Sequence, residues 1–186
     1  LRMVLGEESD VETFWYYFSD GGPTPRRSCR ELLFELRWPV GVEEAAPGLR
    51  AAALDDLDLV VPPHAQAVIE ESGVDPLRVD AVGFRLRCAR RIEQGRTWVL
   101  VEDGKLIFKA EIVSDTPDVI YLEGVWVAPE ERGKGYGLRC LSQLSRTLLT
   151  RAKSVYLFVN EQNLEAQSFY RQAGFRLNRL YKTLFF

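Results

Sequence analysis

The stretch Arg132-Gly133-Lys134-Gly135-Tyr136-Gly137-Leu138 sets three glycines and two cations where an apolar, strand-like run ends and a helix-like run begins. Glycine is among the poorest helix formers, so its use at a helix start points to something that approaches the backbone closely. The first N–H groups of a helix have no partner within it and sit at the positive end of its macrodipole. Such a start is a ready phosphate cradle. Two familiar phosphate loops do not fit. A Walker loop needs glycine where Ala128 stands and Ser or Thr where Gly135 stands, and the dinucleotide fingerprint needs glycine where Leu138 stands. What remains is Arg132-x-x-Gly135-x-Gly137, an anion site in want of a chemistry.

The elements that must hold this loop can be read from pattern. Residues 1 to 46 read as a strand (1–5), an aromatic-rich helix (9–18), a Gly/Pro turn and a second strand (29–39), followed by a linker over 41–48. A short strand over 49–54 and a helix over 55–73 come next, with Asp55 or Asp56 as its cap. A loop through 74–80 leads to a second helix that ends at Gly95. Strands over 97–102 and 105–113 flank Asp103-Gly104, a strong hairpin signal, and a third strand covers 119–127. In the helix after the glycines, Leu138, Leu141, Leu144, Leu148 and Ala152 share one face. A buried strand (154–159), a helix from Asn163 to Gly174, and a last segment (175–186) of one strand or a tight pair complete the chain. The segments 1–18 and 155–172 share a strand, turn and aromatic-bearing helix at similar spacing.

Bulk properties narrow the partners. The chain has 186 residues, of which 46% are hydrophobic and 27% charged, enough for one well-buried domain with an appended fragment. A net charge of −3 leaves no basic footprint for nucleic acid, and no apolar run has the length of a membrane span. Three widely spaced cysteines with one histidine indicate neither a disulfide framework nor a metal site, and a cytoplasmic setting fits best. The chain opens on Leu1, which reads as a fragment of something longer.

The pattern R/Q-x-x-G-x-G/A is the mark of the GNAT acyltransferases, and residues 48 to 186 resemble that superfamily. The context adds weight: "VWVAPEERGKGYG" has the strand, proline and helix in register. The later Asn163-x-x-Ala166-x-x-x-Tyr170-x-x-x-Gly174-Phe175 resembles a second family element. The likeness is to bacterial members with a poorly characterised companion domain, so residues 1–46 read as its C-terminal remnant, possibly a degenerate GNAT-like domain, and 47–186 as the acetyltransferase domain. The resemblance implies an α/β (α+β) fold with a mixed, mostly antiparallel central sheet flanked by helices, preceded here by a partial strand-helix-strand segment.

It also implies an acetyl-coenzyme A-dependent N-acetyltransferase, monomeric or homodimeric, in which a primary amine attacks the thioester directly. The pyrophosphate would lie over Arg132, Gly133, Lys134, Gly135, Tyr136, Gly137 and Leu138. A bulge in the preceding strand would aim an N–H near Val125, Trp126 or Val127 at the acetyl oxygen, with Gly124 assisting the distortion. Glu123 is the expected base, since alternation puts it on the face of Val125 unless a bulge intervenes, and its apolar neighbours should raise its pKa. Glu111 is the second candidate, or else a solvated surface carboxylate. Tyr170 matches the family's acid for the leaving thiolate, and Asn160 and Asn163 are expected on the cofactor side. Glu70, Glu71, Asp75 and Asp80 would give the acceptor side an acidic loop, unless they are simply solvated. His64, beside Pro62 and Pro63, reads as structural. A non-catalytic acyl-coenzyme A sensor or an interaction module on the same fold is the alternative.

Overall fold

The computed structural model describes residues 3–20, 22–39 and 45–186, so part of the expected linker, 41–44, lies outside the described residues. In chain order the elements are β1 (Met3–Glu7), α1 (Glu8–Phe18), β2 (Arg27–Leu36), β3 (Arg50–Ala51), α2 (Leu57–Ser72), α3 (Pro76–Glu93), β4 (Thr97–Glu102), β5 (Lys105–Asp115) and β6 (Val119–Val127), then α4 (Tyr136–Leu149), β7 (Ser154–Asn160), α5 (Leu164–Gln172) and β8 (Arg176–Phe185), with short 3-10 turns at Leu54–Asp56 and Pro129–Glu131. Every pair with a described register is antiparallel and helices flank the strands, which is the α/β class expected.

Two compact units emerge, and neither boundary falls at residue 46. One unit joins the residues up to Trp38 with Tyr156–Phe186, and the other is Pro39–Val155. The physical reason is strand pairing: β8 pairs with β1 over Tyr181–Phe185 and with β2 over Arg176–Phe185, with one register shift between Leu33 and Phe34. In the first unit the order is β1, β8, β2, then the part of β7 from Tyr156 onward, so both sides of β2 are occupied and β1 is the edge strand. Its core holds Val11, Phe34, Leu36, Phe175 and Leu184.

In the second unit the order is β6, β5, β4, β3. The β4–β5 turn has positive φ at both Asp103 and Gly104, the geometry for which this dipeptide is suited. The helix α4 buries Cys140, Leu141, Leu144 and Leu148 completely, as its three-and-four spacing requires. On another apolar cluster, Val60 of α2 and Ile92 of α3 pack with Val99 and Leu106, and Trp126 joins its margin. A further cluster of Val61, Ala65, Phe84 and Cys88 joins α2 to α3.

Local chemistry moved two boundaries. Asp56 does not cap α2 through its side chain; its Oδ2 accepts from Ala53 N at 2.8 Å and from Arg50 at 2.6 Å, closing the 3-10 turn instead. The helix α3 begins at Pro76, earlier than expected, because Asp75 Oδ1 caps Leu77 N at 3.0 Å and Pro76 suits a first helical position; Asp80, at φ −156°, kinks it.

Candidate functional site

The loop before α4 is held open by its glycines. Gly133 has φ +77° and Gly135 φ +84°, conformations that L-residues rarely adopt, and a Cβ placed on either would meet nothing within 4 Å. The backbone there borders free space. Among the described residues no side chain caps the first turn of α4, so the N–H groups of Tyr136, Gly137 and Leu138 begin the helix without a side-chain cap from them. Arg132 and Lys134 are exposed around it: Arg132 Nε donates to Val127 O at 3.3 Å and Lys134 pairs with Glu131 at 3.0 Å. Tyr136 is tied aside, its hydroxyl donating to Glu102 at 3.0 Å and its ring under Arg139, 4.8 Å from the centroid. That hydrogen bond to Glu102 also raises its pKa.

The strand leading into the loop carries the expected irregularity. Lys109 pairs with Trp126 and Glu111 with Glu123, so Gly124 and Val125 on β6 oppose the single residue Ala110 on β5. Two against one is a β-bulge, and Gly124, at φ +57°, supplies the left-handed residue that such a bulge uses. The bulge has a consequence for Glu123. Alternation no longer carries it onto the face of Val125, and its side chain is exposed, accepting from Tyr121 Oη at 2.7 Å. The expectation of an apolar pocket around this carboxylate does not fit its exposure.

Glu111 is the opposite case: expected as a surface carboxylate, it is 2% exposed. Lys109, two residues away on the same strand face, is 0% exposed, and its Nζ stands 2.9 Å from Glu111 Oε1. Arg91 of α3 reaches Glu111 Oε2, and Nδ1 of His64 on α2 stands 2.8 Å from Oε1. That imidazole contact is close enough for a charge interaction but off the line of a good hydrogen bond, and Nδ1 is buried. Burial alone would push the Glu111 carboxyl up; the His64 imidazole and the Lys109 ammonium outweigh it and hold the carboxyl well below the usual range. His64 is stacked on Phe84 with centroids 5.2 Å apart. Sequence reasoning did not foresee the burial of Glu111 or its contact with His64. The one available signal was "FKAEI", two charges spaced by two within a long apolar strand.

Tyr170, Asn160 and Asn163 belong to the first unit. Tyr170 lies among Phe34, Phe169 and Phe175, with centroids 5.1 to 6.5 Å away, and burial there pushes its phenol up. Asn163 Oδ1 accepts from Ala166 N at 2.9 Å as the N-cap of α5, and Asn160 Oδ1 accepts from Gln162 N at 2.8 Å. Both oxygens are thus engaged in local turns. The acidic residues of the α2–α3 segment are spent similarly: Asp75 caps α3, Asp80 accepts from Gly83 N at 2.8 Å, and Glu70 accepts from Gln66 at 2.9 Å. The side chain of Glu71 lies outside the described residues.

The profile of the acetyltransferase (GNAT) family matches residues 65–175, more than half of the chain, and the chain belongs to that family. Among solved structures, it is similar to an acetyltransferase of the GNAT family from Colwellia psychrerythraea (TM-score 0.68, 16% identity, 99% of this chain and 64% of that one). It is also similar to a GCN5-related N-acetyltransferase from Sphaerobacter thermophilus (TM-score 0.61, 18% identity, 98% of this chain and 58% of that one). A third likeness is to a predicted acetyltransferase with acetyl-CoA from Clostridium acetobutylicum (TM-score 0.56, 20% identity, 70% of this chain and 90% of that one). The chain thus spans less than two thirds of the length of the first two. Comparison with curated protein sequences finds no match.

Proposed function

We propose that the protein is an acetyl-coenzyme A-dependent N-acetyltransferase that moves the acetyl group to a primary amine by direct attack in a ternary complex. The observation that carries this reading is the helix start at Gly135: two glycines at positive φ, open space over them, an uncapped first turn and exposed Arg132 and Lys134 beside it. That combination suits a pyrophosphate, whose charge the backbone N–H groups, the macrodipole and the two cations would share. The likeness to a structure with acetyl-CoA supports the choice of ligand.

When bound, acetyl-coenzyme A supplies an activated thioester. The chain's part is to orient it, to polarise its carbonyl and to manage protons. The bulge sets Gly124 and Val125 against the single residue Ala110, and a strand N–H freed by such a bulge is a preorganised donor suited to the oxygen that becomes negative in the transition state. Tyr170, whose phenol burial keeps protonated, is the proposed donor to the departing thiolate. Its assignment rests on the match of residues 163–175 to the family element.

Calorimetric titration with acetyl-coenzyme A, followed by thiol release with a panel of polyamines, amino acids and peptide N-termini, tests the reading. Binding with acceptor-dependent thiol release is the expected result. Binding without release by any acceptor would favour a sensor, and no binding would overturn the proposal.

A further inference from the structure

Two charged side chains sealed inside an apolar layer require an explanation. Lys109 and Glu111 face the α2–α3 layer that otherwise holds Val60, Ile92, Val99 and Leu106. A buried ion pair seldom stabilises a fold better than apolar residues of the same volume, so packing alone does not account for it. Its place does. A Cβ added to Gly124 would lie 3.0 Å from Lys109 Nζ and 4.0 Å from Glu111 Cδ, so the cluster rests directly against the bulge that the previous section assigns to the acetyl oxygen. His64 joins it through Glu111, and is the only histidine of the chain.

We propose that His64, oriented by Glu111, is the base that takes the proton from the acceptor amine. This rests on the acetyltransferase reading and adds a residue to it. The carboxylate selects the tautomer: facing an acceptor, Nδ1 carries the ring proton, and Nε2 keeps the lone pair. The Phe84 ring limits rotation of the imidazole, while the side chain remains 18% exposed, enough to meet an incoming group. The imperfect Nδ1 alignment is the geometry often found before substrate binding, when catalytic hydrogen bonds have yet to tighten. The ammonium of the acceptor loses one proton to Nε2. Its nitrogen lone pair then forms the N–C bond as the C–S bond breaks, and the second nitrogen proton ends on the coenzyme A thiol. The imidazolium later releases its proton to water.

The charged groups held against Glu111, and through it against the imidazole, are Lys109 on β5 and Arg91 on α3. Glu111 is the positioning residue, held by ion pairs with Lys109 and Arg91. Two cations on one carboxylate leave the cluster positive before any proton arrives.

The test uses the intact chain and bromoacetyl-coenzyme A, which needs no acceptor. A base within hydrogen-bond reach of an amine that stands roughly 3 Å from the acetyl carbon is close enough to be alkylated when the amine is absent. The C–Br bond breaks, the N–C bond forms and bromide leaves. Peptide mass spectrometry should find the adduct on His64, and labelling should speed up as pH rises through the titration of the imidazole, followed by NMR from its single Cε1–H signal. The variant His64→Gln should bind coenzyme A within about 2-fold of wild type by calorimetry and lose the label. In Glu111→Gln the labelling rate should fall and its pH profile move; should that variant unfold, Glu111→Asp serves the same readout. Coenzyme A binding with label on Cys88, on Lys109 or nowhere overturns the proposal and leaves the acetyltransferase reading standing. Absence of coenzyme A binding in the wild type removes both.

Discussion

The Nζ of Lys109 and the Oε1 of Glu111 stand 2.9 Å apart on one strand face, with side-chain exposures of 0% and 3%. Removing Glu111 leaves a buried ammonium without its carboxylate, and removing Lys109 leaves Glu111 buried with only Arg91 and His64 against it. Lys109→Met should therefore destabilise the protein by about 3 to 5 kcal/mol in a urea titration, whereas Lys109→Met/Glu111→Leu should recover most of that loss. A double variant no more stable than the single one would show that the pair is not the source of the cost.

The same pair sets an acid dependence. The Glu111 carboxyl is depressed in the folded protein, from an ordinary value of 4.5. A depressed carboxyl contributes stability that is complete above its unfolded pKa and is lost as pH falls through the folded one. Wild-type stability should thus decline progressively below about pH 4.5, and more steeply than in the double variant. Chemical denaturation at a series of pH values compares the two slopes; equal slopes would remove Glu111 as a contributor.

Gly135→Val forces a β-branched residue into φ +84° and projects its side chain into the open space over the loop. A backbone held there costs on the order of 1 to 3 kcal/mol, tolerable for a fold of this size. Acetyl-coenzyme A affinity should drop by at least about tenfold, equivalent to about 1.4 kcal/mol. Calorimetry reads the affinity, and circular dichroism verifies the fold. Undiminished affinity would take the phosphates away from this loop.

Gly124→Ala tests the bulge. The new methyl would press on Lys109 Nζ at 3.0 Å, and φ +57° is unfavourable for alanine, so the strand should shift its N–H. With the donor displaced, turnover should fall by about 10²- to 10³-fold while cofactor affinity changes little. Steady-state kinetics beside calorimetry separates these effects, and an unaltered kcat would place the donor elsewhere.

Tyr170→Phe removes an acid and almost no volume. Turnover should decrease by about 10²- to 10⁴-fold with cofactor affinity nearly kept. Glu123→Gln, on an exposed carboxylate engaged with Tyr121, should stay within about 3-fold of the wild-type rate and keep its pH profile. A lost acidic limb in Glu123→Gln would restore that residue as the base.

The features legible in the sequence are those whose cause is local. The helix start at Gly135, the apolar face of α4 and the Asp103-Gly104 turn depend on backbone freedom and on periodicity, properties of a few neighbouring residues. The bulge was legible too, through a glycine inside a strand, but its effect on Glu123 was not. Whether alternation survives depends on which residue of β5 lies opposite, a matter of register.

Partnership across distance was decided by tertiary structure alone. His64, Arg91, Lys109 and Glu111 lie on three elements, and only the packing of α2 and α3 on β5 buries the two charges of one strand and brings a histidine and an arginine onto them. The chain's two ends were read apart because nothing local announces that β8 will pair with both β1 and β2. Sequence by itself determined where an anion could bind and which helices could cover a core. The fold decided which charges lose their water, because desolvation is a property of what surrounds a residue and not of the residue.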